Sequence, residues 1–581
     1  MALTWYGNQV DSDACNLGAL AIIFPLLERM KVAEIIDQHI PADPRAEFPH
    51  GKVLTLLIAA RLHRPTALSN LAEWAKDTGA DLLWGIPVEK MNDDRFGRSL
   101  DAFLTQRHSI LGSIALHVAK EFGAALSELH YDPTHILFAG AYKDAETRDG
   151  VVGADVIRSD DALKPAHITR GRATDDAPDG ALMIHAGFCT VVDEFGPLPL
   201  FGHTIDGNQN GHTAVAEQFA LMRKHLALTE LTMFSDRGTF SAGHLLRLTK
   251  EGFHAVCSAP WNEFRPLFDE HRKTLSWKKA SYLSIEQQRR RKDKSELPLE
   301  HYDLAVLRHT LVDEESKQEV PCRVIFVFST ADQKVACQER QKRIDKLRVG
   351  LEQIQRSVAE GRRSTDQDSI DRRVQKLFGT KQAARYFTWE MLPLNKKEQA
   401  ALPPPTRGCK RATHRLSFQL DHAAVHKDEA YDGYSSVVTT LPQQQGSADS
   451  VFTKFKQQNY SEHVNRQFKG PLAIRPVFLH SPHRVEALVF LMMIALTAYF
   501  LLQRMYRQTM PAKPTEKERR TTTETILRAF NSYTLLIHRT RLGREVQPTR
   551  LSTRQRELLQ RLGFPTPAQV LSQQLPRPPT K

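Results

Sequence analysis

The chain has 581 residues, with 79 Lys and Arg against 67 Asp and Glu and a net charge of +12. Its 41% hydrophobic and 25% charged residues exclude collagen-like, low-complexity and wholly disordered chains, and its length indicates about three or four folded units. Six isolated cysteines with no Cys-x-x-Cys pair exclude a disulfide scaffold and a zinc ribbon, so a reducing compartment, the cytoplasm, is the expected location.

The first segment, residues 1–115, is predicted to be a helical domain. Met1 to Cys15 lacks the basic and apolar regions of a secretory signal, so none is expected. From residue 16 onward apolar side chains recur at helical spacing, as in Leu20, Ile23 and Leu27.

Residues 116–262 change to an alternation of strands and helices, which predicts the first part of an α/β core. Asp193-Glu194-Phe195-Gly196 separates two apolar runs and predicts a hairpin. The predicted strands are Leu129–Phe138, Ala181–Val192, Leu198–His203, Glu230–Phe234 and Ala255–Ser258, and the predicted helices are Ala214–Leu226 and Ala242–Glu251.

Residues 263–445 are predicted to be an insertion between two parts of that core. Gln333–Val358 has an apolar stripe on a strongly charged background, which predicts an exposed amphipathic helix. The predicted strands are Leu304–Leu311, Pro321–Ser329, Leu416–Leu420 and Ser435–Leu441.

Residues 446–505 return to helix and are predicted to complete the core. Ala487 to Leu502 is an apolar run of sixteen residues. A membrane span needs about 20 apolar residues, so a buried core helix is favoured over a span.

Residues 506–581 are predicted to form a basic tail with one helix from Thr523 to Ile537. From Gln503 to Lys581 there are 16 Lys and Arg against 5 Asp and Glu, so a charge of +11, nearly the whole surplus, lies there. Such a block favours a polyanion, and nucleic acid is the expected one; a solvated tail without a partner is the alternative.

Three acids stand out by context. Asp132 lies inside an otherwise strand-like run, and Asp236 follows a short apolar strand, where a rigid support suits a metal ligand. Glu462 is predicted to lie on one helical face together with Phe455, Gln458, Arg466 and Lys469. Taken singly, each has a plain alternative: a turn residue, an N-terminal cap or a surface salt bridge.

Their order along the chain is more specific, because the sequence resembles the DDE transposases of bacterial insertion sequences, in the branch with a long insertion before the Glu and a Tyr-x2-Arg-x3-Glu-x6-Lys signature. Tyr131-Asp132-Pro133-Thr134 resembles the first Asp motif, and Ser235-Asp236-Arg237-Gly238 resembles the second. Glu462 and Lys469 keep the Glu-x6-Lys spacing. Further matching segments are Asn92 to Asp101, Gly207-Asn208, Asp432-Gly433-Tyr434 and Ile474 to Phe478 followed by His480 and Arg484.

The resemblance implies an RNase H-like catalytic core with a helical N-terminal DNA-binding domain. It implies Asp132, Asp236 and Glu462 as catalytic metal ligands for Mg²⁺, with Mn²⁺ as a substitute. Carboxylates suit such hard ions, and two of them about 4 Å apart can clamp the attacking and leaving oxygens of a phosphoryl transfer.

The implied partner is DNA, both the terminal inverted repeats and the target, with a homodimer on the DNA ends and no membrane. Arg237, Arg466, Lys469 and Arg475 are the candidate DNA-binding residues. The implied activity is metal-dependent strand cleavage and strand transfer.

The sequence departs from the signature at two positions, since Phe455 replaces its Tyr and Gln458 its Arg. A catalytically inactive, transposase-derived DNA-binding protein therefore stays open as the alternative. No Gly-x-Ser-x-Gly elbow and no P-loop motif is present, so a serine hydrolase and a P-loop ATPase lack their signatures. Trp261 could stack on a displaced base, although a core position is the commoner role of such a residue.

Overall fold

The computed structural model describes residues 3–5, 8–41, 46–138, 166–171, 180–209, 220–226, 228–292, 300–360, 367–379, 381–404, 407, 411–470, 479, 481–540 and 543–574. The chain is a mixed α/β protein that divides into two compact units. The first comprises Met1–Ser258, His309–Arg323 and Val438–Lys581, and the second comprises Ala259–Arg308 and Val324–Val437. The domain boundaries drawn from the sequence stay predictions.

Helices fill the N-terminal part of the first unit, which confirms the helical periodicity found after residue 16. Asn92 begins one helix by accepting a hydrogen bond from the Arg95 backbone N–H at 2.9 Å, a side-chain cap. The elements are β1 (Leu3–Trp5), β2 (Asn8–Cys15), α1 (Leu20–Arg29), α2 (Val32–His39), α3 (His50–His63), α4 (Leu71–Thr78), α5 (Ala80–Trp84), α6 (Asp93–Thr105) and α7 (Arg107–Glu121), with 3-10 turns at Leu68–Asn70 and Val88–Lys90.

A sheet follows in the first unit, with strand order β6-β5-β3-β7-β8 and β4 also paired to β5. The pairs β6–β5 and β5–β3 are antiparallel, whereas β3–β7 and β7–β8 are parallel. The elements are β3 (Glu128–Phe138), β4 (Thr169–Gly171), β5 (Ala181–Asp193), β6 (Gly196–Asp206), β7 (Thr232–Ser235), α8 (Ala242–Lys250) and β8 (His254–Ala259).

The predicted hairpin is confirmed, since Asp193 pairs with Gly196 at the turn between β5 and β6. Gly196 has φ +104°, a conformation that side-chain-bearing residues rarely adopt. Of the predicted helix Ala214–Leu226, residues 220–226 are described and are helical, and 214–219 lie outside the described residues.

The second unit has its own hydrophobic core. The strands that lie wholly or partly in it follow the order β14-β11-β10-β9, and β12 and β13 form a separate antiparallel pair. The elements are α9 (Trp261–His271), β9 (Lys278–Lys279), α10 (Ile285–Lys292), β10 (Tyr302–Val312), β11 (Glu319–Ser329), α11 (Thr330–Ala359), α12 (Gln367–Phe378), a 3-10 turn (Gln382–Tyr386), β12 (Phe387–Pro393), α13 (Lys396–Ala401), β13 (His414–Leu420), α14 (His422–Glu429) and β14 (Tyr434–Thr439).

The amphipathic helix predicted over Gln333–Val358 is confirmed as α11, with most of its charged residues exposed and its apolar stripe buried. Ile344, Leu347 and Leu351 belong to a core shared with residues of α12, β12 and β13. Trp261 also packs inside this unit, with its ring stacked on Tyr434 at a centroid distance of 6.1 Å. The structure therefore gives Trp261 the packing role.

The remaining elements lie after the second unit: α15 (Ala448–Phe455), a 3-10 turn (Lys456–Gln458), α16 (Asn459–Lys469), α17 (Pro482–Gln508), α18 (Glu516–Arg519), α19 (Thr523–Arg528), β15 (Leu535–Thr540), β16 (Gly543–Pro548), α20 (Thr553–Leu562) and α21 (Pro567–Gln574). The helix predicted from Thr523 to Ile537 is wrong beyond Arg528. Leu535 to Arg539 instead form a strand that pairs with Cys15 to Asp11 of β2. The basic C-terminal segment is thus folded onto the beginning of the chain.

The apolar run Ala487–Leu502 lies inside α17 and is buried, as predicted for a core helix. By length and composition this is the one described helix able to cross a membrane, and 94% of its most apolar window is covered by the rest of the protein. Its Thr497 hydroxyl donates to the Pro199 carbonyl of β6 at 2.7 Å. Near its start, buried Glu486 accepts from the Thr204 hydroxyl of β6 at 2.7 Å and pairs with Arg107 at 3.2 Å. These contacts fasten the helix to the hairpin.

We predict that Ile494→Asp yields misfolded, insoluble protein. Ile494 is 0% exposed, and an unpaired charge buried there costs several kcal/mol. Ile494→Val is the control, since it removes one methyl group and costs about 0.5–1.5 kcal/mol. Soluble yield and thermal unfolding measure the effect, and a well-folded Asp variant would contradict the burial of α17.

Candidate active site

Two of the predicted acids lie where the pairing of two neighbouring strands ends. β3 and β7 run parallel, and their last pair joins Tyr131 to Ser235. Asp132, inside β3, and Asp236, directly after β7, are the next residues, so the sheet brings them side by side. The sequence does not reveal that these two acids are close, because their positions are 104 residues apart.

Asp236 is held in place by the turn that follows its strand. Its Oδ1 accepts from the Gly238 backbone N–H at 2.9 Å and caps a 3-10 turn over Arg237–Thr239. The Thr239 hydroxyl donates to the Ser235 hydroxyl at 2.6 Å. The cap considered from the sequence is therefore present, and the carboxylate is also exposed at the sheet edge.

The third acid, Glu462, lies on α16. Two amide side chains hydrogen-bond this region to β3. Asn465 Nδ2 donates to Asp132 Oδ2 at 2.9 Å. Just before the helix, Gln458 Nε2 donates to the Tyr131 carbonyl at 2.8 Å and Oε1 lies 3.0 Å from His130 Nδ1. Glu462 lies between these two amides and shares a helical face with Asn465, three residues on.

Electrostatics link the three acids directly. The pKa of Asp132 is raised from 3.8 to about 7, first by burial and then by the negative charges of Asp236 and Glu462. The Lys469 charge and the hydrogen bond from Asn465 act in the opposite direction. Since like charges raise a carboxyl pKa only at short range, Asp132 stands in the field of both other acids.

Glu462 is exposed and has no hydrogen bond or ion pair within the described ranges. No three His, Cys, Asp or Glu side chains in the described part of the chain are already gathered closely enough to hold a metal ion. The donor chemistry nevertheless suits an oxygen-preferring divalent cation, because three carboxylates share one field and a cation would relieve the repulsion on Asp132.

The candidate DNA-binding residues are distributed around this edge. Lys469 ends α16 and acts on Asp132, whereas Arg466 is exposed on the same helix. Arg237 is exposed in the turn beside Asp236. Arg475 lies outside the described residues.

Asn465 and Gln458 were missed as site residues by the sequence reasoning. The i, i+3 spacing of Glu462 and Asn465 was a usable signal, since it places an amide beside the candidate acid. The expectation of one continuous helical face from Phe455 to Lys469 was wrong, because Phe455 ends α15 and a 3-10 turn over Lys456–Gln458 precedes α16.

The chain has counterparts in one family model and among solved structures. A family model described as a domain of unknown function, DUF4277, matches residues 12–116. No curated protein matches the chain. Among solved structures, a cryo-EM structure of a piggyBac transposase synaptic complex with hairpin DNA is similar, with a TM-score of 0.33, 8% identity and coverage of 97% of this chain and 87% of that chain. A likeness at that TM-score does not establish a shared fold or activity.

We predict that Asp132→Asn stabilises the metal-free protein at pH 8 but not at pH 4. A carboxyl whose pKa rises from 3.8 to about 7 on folding contributes stability below about pH 4, and that contribution is lost as the pH rises through 7. The gain at pH 8 is at most about 4 kcal/mol, at ~1.4 kcal/mol for each pH unit between the two pKa values.

Chemical denaturation with a chelator present at both pH values measures this difference. Glu230→Gln, an exposed acid two residues before β7, is the control and should leave the pH dependence unchanged. Equal stability of Asp132→Asn and the parent protein at pH 8 would show that Asp132 is not in a repulsive field.

Proposed function

We propose that this chain is a DDE transposase of an insertion sequence, which cuts DNA and joins its ends to a target by metal-dependent phosphoryl transfer. Asp132, Asp236 and Glu462 are its catalytic carboxylates. The observation that carries this function is the convergence of the acids: Asp132 and Asp236 lie side by side where the β3–β7 pairing ends, and Asn465, on the helix that bears Glu462, donates to Asp132. The strand order β6-β5-β3-β7-β8, with two parallel pairs after two antiparallel ones, supports an RNase H-like core.

Each side chain of the proposed site has a separate role. Asp132, Asp236 and Glu462 would hold Mg²⁺, or Mn²⁺ in its place. When bound, such ions supply charge stabilisation for the attacking and leaving oxygens of the phosphodiester. Asn465 orients Asp132 by binding one carboxylate oxygen, which leaves the other for a ligand. Gln458 fixes α16 to the β3 backbone, so Glu462 is presented from a rigid element.

DNA is the proposed substrate, both as inverted-repeat ends and as target. Arg237 and Arg466 are exposed at the sheet edge, where they can meet phosphates, and Lys469 lies close enough to act on Asp132. Arg475 completes the proposed set from the sequence. We expect a homodimer on the DNA ends, a cytoplasmic location and no membrane association.

A DNA-binding protein that has lost catalysis is the second candidate, and the changed signature positions Phe455 and Gln458 favour it. Gln458 still has a structural use in the site, since it bridges Tyr131 and His130. The loss of the signature Arg therefore does not leave the region without support.

We predict that Asp132→Asn, Asp236→Asn and Glu462→Gln each abolish strand cleavage and leave DNA binding largely intact. An amide keeps the shape of the acid but loses the charge that binds the metal. The assay is cleavage of the DNA flanking the gene with Mg²⁺, run beside a gel-shift measurement on the same DNA. Glu230→Gln is the charge-matched control and should cut normally.

The outcomes separate the two candidates. Cleavage by the parent protein that disappears in all three variants supports the transposase. Binding of the flanking DNA without any cleavage by the parent protein supports the inactive form. Cleavage retained by one variant removes that residue from the site.

A further prediction concerns positioning. Asn465→Ala should raise the Mg²⁺ concentration needed for half-maximal cleavage by about 10- to 100-fold, because outer-shell partners of metal-binding carboxylates tune metal affinity to that extent. DNA binding should change little. Asn459→Ala, at the exposed start of α16, is the control. If Asn465→Ala needs no more Mg²⁺ than the parent protein, Asn465 does not position a metal ligand and has only a packing role.

A further inference from the structure

Buried arginines in the first unit normally have acceptors. Arg107 is 2% exposed and pairs with Glu486 at 3.2 Å, and Arg504 is 1% exposed and pairs with Asp193 at 2.7 Å. Arg323 is 7% exposed and donates to the Leu441 carbonyl at 2.9 Å from Nε. This is the expected behaviour, since a buried charge is costly unless it is paired and hydrogen-bonded.

Arg61 is the exception among the buried arginines of the described residues. It is 5% exposed, and its Nε is fully buried without a hydrogen-bond partner. No acceptor or ion-pair partner for the guanidinium is found in the described part of the chain. Arg61 lies on α3, one and two helical turns from the buried side chains Leu54, Leu57 and Ile58.

The surrounding sequence supplies no neutralising charge. Residues 48–72 contain no Asp or Glu, but they contain Lys52, Arg61 and Arg64. Burial lowers the pKa of Arg61 to about 10, so the guanidinium is still charged at neutral pH. An unpaired buried cation destabilises the protein, and a bound anion would relieve that cost.

We propose that Arg61 is an anion site that takes a phosphate group. The guanidinium presents a planar fork of donors that matches phosphate oxygens, and no residue that the structure describes accepts from these donors. The phosphate could come from a DNA backbone or from free inorganic phosphate. Binding of phosphate does not depend on the proposed function, whereas a DNA source rests on it.

Thermal unfolding tests the site without any catalysis. Inorganic phosphate, compared with chloride at equal ionic strength, should raise the midpoint of the parent protein and leave that of Arg61→Met unchanged. In chloride alone, Arg61→Met should unfold at a higher temperature than the parent, because it removes an uncompensated charge. Arg504→Met should do the opposite, because it removes a buried arginine that is paired and leaves the half-buried Asp193 without that partner.

Arg64→Met removes an exposed charge three residues away and should keep the phosphate response. Arg61→Lys retains the charge without the fork and should respond weakly, which keeps the test informative if the Met variant folds poorly. A phosphate response that is identical in the parent and in both Arg61 variants overturns the proposal.

DNA binding distinguishes the two phosphate sources. If the DNA backbone supplies the phosphate, Arg61→Met should flatten the log–log salt slope by about 0.9, one lost phosphate contact, and inorganic phosphate should compete with DNA. If free phosphate is the ligand, Arg61→Met should keep the salt slope of DNA binding seen in the parent protein but lose the phosphate-dependent thermal shift. The Asp132→Asn background can carry both measurements, so loss of cleavage would leave the Arg61 result readable.

Discussion

The parallel pairing of β3 with β7 is the constraint on which the candidate active site depends. It places Asp132, inside β3, beside Asp236, which directly follows β7, although 104 residues separate them in the sequence. Glu462 reaches the same region only because α16 is fastened to β3 by the hydrogen bonds of Asn465 and Gln458. A long segment of chain can therefore separate Asp236 from Glu462, because these two hydrogen bonds position Glu462 near the other acids.

This arrangement leaves electrostatic repulsion between Asp132 and the two neighbouring acids. Burial and two neighbouring acids raise the pKa of Asp132, and the first unit accepts that penalty beside a well-packed core. The rigidity needed comes from α17, whose buried Glu486 is bound by Thr204 and Arg107. Functional sites are commonly less stable than the fold that supports them, and a bound cation would remove much of the strain here.

Local patterns predicted the elements well and their long-range pairing poorly. Apolar spacing identified the N-terminal helices, the β5–β6 hairpin and the burial of Ala487–Leu502. The strand at Leu535–Thr540 was predicted as helix, because its partner β2 lies more than 500 residues earlier and no local signal reveals it. Likewise, the three acids were found by resemblance, whereas Asn465 acquires its role only from its contact with Asp132.

The neutral side chain of Gln458 has a consequence for the charge of the site. Gln458 satisfies the Tyr131 carbonyl and His130 without adding a charge, and burial lowers the pKa of His130 to about 4, so that ring is neutral. An Arg at position 458 would bring a second cation toward Asp132 and lower its pKa. The Lys469 charge already lowers the pKa of Asp132, and Gln458 adds no second cation to it. The acids therefore keep more of the mutual repulsion that a divalent cation would relieve, while the proposed DNA contacts of Arg237 and Arg466 come from exposed positions nearby.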